Sequence, residues 1–181
     1  AAPADKPLAE AEKLLKSGLH TDRLLAIEAL EGVGPDKKGE KLLLDALKSD
    51  PDWGVRIAAA AALAKTGGDA AKAALADQAV VGEIQWVRDA AARALGELAP
   101  TEAGALMLEE AKRAPDEAAK ARAVVAAAPH MGKDDVTRLR GYAKDKDPYL
   151  ARAAAFALGR LAADDEARDS ALKALQPLLS A

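Results

Sequence analysis

The stretch DWGVRIAAAAALA, residues 52–64, returns as IQWVRDAAARALG at 84–96, as DEAAKARAVVAAA at 116–128 and as DPYLARAAAFALG at 147–159. A weaker copy, LHTDRLLAIEALE, occupies 19–31. Measured on the basic residue that follows the apolar anchor, Arg23, Arg56, Arg88, Lys120 and the Ala151 slot stand 33, 32, 32 and 31 residues apart. A repeat of this length signals an array in which each unit buries its apolar face only against its neighbours. Within each copy the apolar residues recur at helical spacing, so the array is all-α.

Composition supports stacked helices. Alanine supplies 48 of the 181 residues and aromatics only 3%. Alanine is the best helix former, and its small side chain lets neighbouring helices approach closely, so a core of large rings is not expected. The charges, 26 Lys and Arg against 29 Asp and Glu, leave a net of −3. That balance argues against a nucleic-acid partner, which calls for a basic face. The absence of cysteine removes disulfides, thiolate nucleophiles and thiolate metal sites, and leaves the redox compartment open. No apolar run is long enough to cross a bilayer, so membrane insertion is not expected.

Each period divides into two amphipathic segments. First helices are predicted at about 8–16, 37–48, 70–80, 101–113 and 134–144, and second helices at about 21–31, 53–65, 84–98, 116–128 and 148–162. Gly32, Gly34 and Pro35, then Gly67 and Gly68, Pro100 and Gly132 punctuate the breaks. Asp52, Asp116 and Asp147 stand where an N-cap carboxylate accepts from the first free amides of the next helix, each contributing about 1 kcal/mol. Residues 1–6 read as a flexible lead-in, and residues 7–181 as one repeat domain with repeats at about 7–34, 35–67, 68–99, 100–132 and 133–162. The segment 164–180 reads as a terminal helix without a mate, either a cap or the start of a further repeat. The small, Pro-containing start fits an exported protein slightly better than a cytoplasmic one, although Met removal or a cut from a longer chain fits too.

An aspartate, two residues, and then V-R-x-A-A-A-x-A-L-G at this spacing resembles the short bacterial HEAT-like repeats of the type named after phycobilin lyases. The resemblance covers nearly the whole chain, with the second to fifth copies clearest. It implies a right-handed α-solenoid of about five two-helix repeats plus a C-terminal capping helix. It also implies that the second helices line the concave surface and that the basic residue after Val hydrogen-bonds between repeats. Arg56 and Arg88 fit that ladder and Lys120 fits it partly, whereas the fifth copy departs with Ala151 in the slot and Arg152 one place on.

In the second helix of the second repeat, Val55, Ala58, Ala59, Ala62 and Leu63 share one face and should pack inside. The x positions face away in pairs: Leu24 and Glu28, Ile57 and Ala61, Asp89 and Arg93, Ala121 and Val125, Arg152 and Phe156. Beside them Trp53, Trp86 and Tyr149 stand at second-helix starts. An apolar row with aromatic and arginine anchors is what a peptide or protein groove uses. The candidate partner-binding residues are therefore Trp53, Ile57, Trp86, Arg93, Val125, Tyr149, Arg152 and Phe156. The simpler alternative is that each ring merely covers the gap to the preceding repeat.

Catalysis finds little support. His20 and His130 lie three repeats apart, too far to share a metal, and no acid, base and nucleophile set can be assembled. Asp50 with Asp52 and Asp145 with Asp147 lack the glycine and distal glutamate of a calcium loop. No cofactor is expected. The sequence thus points to a non-enzymatic scaffold that holds a protein or peptide partner on the concave face of the array. A bilin lyase or chromophore chaperone and a HEAT-like DNA-binding or glycosylase-type protein are the alternatives. The open ends of such an array also permit end-to-end self-association.

Overall fold

The computed structural model describes residues 5–178. Eleven α-helices occur among the described residues, joined by turns and short 3-10 segments, with no strand. The chain divides after Ala99 into two compact units.

The first unit contains three helical hairpins. They are α1 (Asp5–Leu14) with α2 (His20–Val33), α3 (Lys37–Ser49) with α4 (Trp53–Thr66), and α5 (Asp69–Val81) with α6 (Gln85–Leu98). Each first helix packs on its own second helix, while α2, α4 and α6 lie side by side in one layer and α1, α3 and α5 in the other. This two-layer stacking of consecutive hairpins is the α-solenoid arrangement.

The second unit contains two hairpins and a terminal helix. They are α7 (Ala103–Ala111) with α8 (Glu117–Ala127), α9 (Val136–Tyr142) with α10 (Pro148–Leu161), and α11 (Arg168–Leu175). Here α8 and α10 lie side by side, and α11 packs against both α9 and α10.

The helix limits follow local chemistry. The Asp52 carboxylate accepts from the amides of Gly54 and Val55 at 2.9 and 3.1 Å, and that of Asp147 from Tyr149 and Leu150 at 2.9 Å each. Asp116 accepts from Ala119 at 2.6 Å. Asp36, which the motif does not include, caps α3 in the same way. Gly34, at φ 79°, ends α2 in the left-handed region where a side chain is strained.

Four expected limits move. The lead-in at 1–6 is shorter, because Asp5 and Lys6 already belong to α1; residues 1–4 lie outside the described residues. The helix expected at 134–144 begins at Val136, after a 3-10 turn over Lys133–Asp135. Residues 128–130 leave the α-helix for a 3-10 turn, since Pro129 has no amide hydrogen to give. The terminal helix expected over 164–180 runs only from Arg168 to Leu175: Asp164 folds back to accept from Glu166 and Ala167, and Pro177 interrupts the other end. Residues 179 and 180 lie outside the described residues.

The core is alanine, leucine and valine. Val55, Ala59, Ala62 and Leu63 are fully buried, as their shared face requires, and so is Ala60. Ala58 is only half-buried. α4 touches α2, α3, α5 and α6, so its buried arc is wider than one amphipathic stripe and reaches round to Ala60. Among the described residues every buried side-chain nitrogen and oxygen has a hydrogen-bond partner.

Candidate functional site

Two basic residues of the motif, Arg23 and Arg56, tie neighbouring repeats together, whereas Arg88 bonds within its own repeat. Arg23 lays its guanidinium across the Asp50 carboxylate at 2.8 and 3.1 Å and donates to the Ser17 carbonyl at 3.0 Å. Asp50 belongs to the next repeat, so this pair joins the first two hairpins. Its hydrogen bond and charge raise the Arg23 pKa above its already high value. Arg56 donates Nε to the Leu47 carbonyl of its own repeat at 3.0 Å and a terminal nitrogen to Gln78 Oε1, on α5 of the next, at 2.8 Å. Arg88 donates to the Gly82 and Glu83 carbonyls, at 2.8 and 3.0 Å, within its own repeat. In the second unit Lys120 pairs with Glu117 at 3.4 Å and lies 5.8 Å from the ring centre of Tyr142 on the next hairpin. Arg152, one place beyond the ladder slot, is exposed.

Sequence reasoning missed two partners in this ladder. Asp50, noted in the sequence only for lacking a calcium loop around it, accepts from the Asp52 amide at 2.9 Å and holds Arg23. Gln78 betrays itself only as a polar residue within the apolar stripe of α5, and it is nearly buried.

The aromatic residues face the other way. In the first unit Trp53 is 53% and Trp86 65% exposed, at the first turns of the adjacent helices α4 and α6. Ile57 is half-buried one turn below Trp53, while Asp89 and Arg93 are exposed one and two turns below Trp86. In the second unit Tyr149 and Phe156 of α10 are 62% and 50% exposed, and Val125 of α8 is 42% exposed. Ala121, expected to face outward with Val125, is buried. Its methyl group is too short to clear α7 and α10, which flank α8. Leu19 and Leu25 add exposed apolar surface at the start of α2, and Leu172 does so on α11.

Other places offer less chemistry. A groove between the C-terminal end of α1 and the length of α3 is lined by Glu12, Lys16, Arg23, Lys38 and Asp50 among others. Glu12 is paired there with Lys38 at 2.8 Å and Lys16 at 3.5 Å, which holds its carboxyl below the ordinary range. His20 opens α2 and is exposed, and His130 is half-buried in its 3-10 turn. Among the described residues no group of three or more His, Cys, Asp or Glu side chains is placed to hold a metal ion. No described helix is long and apolar enough to cross a membrane.

The family profile for HEAT repeats matches residues 9–96, almost the whole of the first unit. Over residues 9–96 the chain is HEAT-repeat-like, in keeping with the stacked hairpins of the first unit. HEAT repeats commonly serve as protein-interaction scaffolds. Comparison with curated proteins finds none that matches.

Proposed function

We propose that the chain is a non-enzymatic scaffold that holds a protein or peptide partner on the exposed face of its second helices. The contact residues are Trp53, Ile57, Trp86 and Arg93 in the first unit, and Val125, Tyr149, Arg152 and Phe156 in the second. One observation carries this reading. Of the five aromatic residues, four stand half or more exposed on second helices. Exposed rings are costly in water and are the residue type that dominates interface energetics. The inward turn of Arg23, Arg56 and Arg88 also takes three cations away from any phosphate backbone laid over α2, α4 and α6.

The test is affinity capture from extract of the source organism with three proteins: wild type, a Trp53→Ala, Trp86→Ala variant and a Tyr149→Ala, Phe156→Ala variant. Each is checked for helix content by circular dichroism. Partners retained by wild type and lost by a fully helical variant support the reading for that unit. Identical partners for all three proteins defeat it.

A further inference from the structure

The second helices of the two units differ in charge. In the first unit α2, α4 and α6 carry five Lys and Arg against five Asp and Glu. In the second unit α8 and α10 carry Lys120, Arg122, Arg152 and Arg160 against Glu117 alone, and Glu117 is paired with Lys120 at 3.4 Å. α10 has no carboxylate at all. At about 100° per residue, Tyr149, Arg152, Phe156 and Arg160 share an arc of about 80° on this helix, and all four are exposed. Ring and cation thus alternate along about 16 Å of one stripe. Among the described residues Arg152 and Arg160 have no ion pair and no side-chain hydrogen bond, and neither lies over a ring. Carboxylates bound the stripe at both ends: Asp145 and Asp147 before Tyr149, and Asp164, Asp165 and Glu166 beyond Arg160. Most are engaged elsewhere. Asp145, Asp147 and Asp164 accept from backbone amides, and Asp165 pairs with Arg168 at 2.6 Å. Burial and, after it, the charge of Arg160 hold the His130 imidazole low, so that guanidinium lies toward the 3-10 turn that follows α8.

From this stripe we infer that the second unit binds a short acidic segment of a partner protein in extended form, with one carboxylate on Arg152, another on Arg160 and an apolar side chain between them on Phe156. The spacing fits. Successive anchors climb α10 by about 6 Å each. Alternate side chains of an extended strand point the same way and stand about 6.6 Å apart. Two carboxylates four residues apart, with an apolar residue midway, therefore meet Arg152, Phe156 and Arg160 with a mismatch of about 1 Å over the whole run. Val125, in the slot of α8 that matches Phe156, lies about 8–10 Å away on the neighbouring helix and flanks the apolar position. A guanidinium takes a carboxylate through two parallel hydrogen bonds, so each arginine fixes direction as well as charge. The bounding carboxylates favour a peptide over a nucleic-acid strand. A polyanion running on past Tyr149 or Arg160 meets Asp145, Asp147 and Glu166, whereas a segment with two charges stops between them.

This inference rests on the proposed binding face and adds the chemistry of its partner. The probes are two end-blocked glycine peptides, one with glutamates four residues apart and leucine midway, the other with glutamines in place of the glutamates, and an oligothymidylate. Each is titrated into the isotope-labelled full chain at about 0.15 M salt, where exposed charges are screened beyond about 8 Å, and followed by amide chemical shifts. The glutamate peptide is expected to shift the amides of α10 saturably, and the glutamine peptide to bind roughly fivefold more weakly or worse. Arg152→Gln with Arg160→Gln should weaken the glutamate peptide by roughly fivefold or more. Arg138→Gln with Arg140→Gln, the same charge change at exposed positions of α9, should alter it by less than about twofold. Equal binding of the two peptides, shifts that spare α10, equal loss in the α9 variant, or tighter binding of the oligothymidylate than of the glutamate peptide overturns the inference. In that event a partner captured from extract and lost with Tyr149→Ala, Phe156→Ala still upholds the face itself, so the two failures are separable.

Discussion

Removing the Arg56 guanidinium while keeping its apolar stem tests whether the inward ladder holds the first unit together. In Arg56→Met the Leu47 carbonyl, one of the last in α3 and without an intrahelical partner, loses its donor at 3.0 Å. Gln78 loses the donor at 2.8 Å to its Oε1 and keeps only the 3.2 Å contact from Nε2 to Asp77. An acceptor left unpaired away from water costs about 1–3 kcal/mol. With Gln78 and Leu47 both nearly buried, the two together should cost about 2–4 kcal/mol. Arg88→Met removes one donor nitrogen, shared between the buried Gly82 carbonyl and the exposed Glu83 carbonyl, which solvent can satisfy, and should cost about 1 kcal/mol. Urea unfolding distinguishes them. Tryptophan emission follows residues 1–99 alone, and far-UV circular dichroism follows both units. At an m-value of roughly 2 kcal/mol per molar urea, Arg56→Met should lower the first unit's midpoint by about 1–2 M and Arg88→Met by about 0.5 M. Equal shifts, or none in Arg56→Met, would refute the argument that the inter-repeat bond matters more than the bond within a repeat.

Two glycines of the second unit should respond with opposite sign. A Cβ on Gly104 would meet the His130 carbonyl oxygen at 2.6 Å and its carbon at 3.0 Å, and because both are backbone atoms Gly104→Ala should destabilise by about 1–3 kcal/mol. A Cβ on Gly159, inside α10, meets open space, so Gly159→Ala should stabilise by about 0.5–1 kcal/mol; thermal melts by circular dichroism that shift both variants the same way contradict this. His130 gives the second unit a pH dependence, because burial and the nearby charge of Arg160 hold its imidazole below the ordinary 6.5. The unfolded chain then takes up a proton before the folded one does, so stability should begin to fall as pH drops below about 6.5 and keep falling until the lowered native value is passed. Melts between about pH 7 and 5.5 should show that slope in wild type and a flatter one in His130→Gln, and equal slopes would rule His130 out.

The candidate face was legible in part. Exposure of Trp53, Trp86, Tyr149 and Phe156 follows from their slots in the repeat, because a helical period assigns each residue a direction. The same logic placed Ala121 outward and Ala58 inward, and both placements fail for one reason. A period locates the centre of a buried stripe, whereas its width depends on how many helices crowd round it. The ladder shows the same limit. That a basic residue recurs after the apolar anchor is plain in the sequence, yet its partner is not. Arg23 finds a carboxylate, Arg56 an amide and two kinds of neighbour, Arg88 the carbonyls of its own loop and Lys120 a ring.

The sequence by itself determined the all-α repeat, the pairing of helices into five hairpins, and the capping aspartates. Each of these rests on interactions within one turn of helix or on a period that local spacing records. Tertiary structure alone decided the division after Ala99, the burial of Ala60, the tight approach of Gly104 to the His130 carbonyl, and the union of Arg56 with Gln78 across 22 residues. Those contacts join elements distant in the chain, and their geometry follows from how layers of small side chains settle against one another.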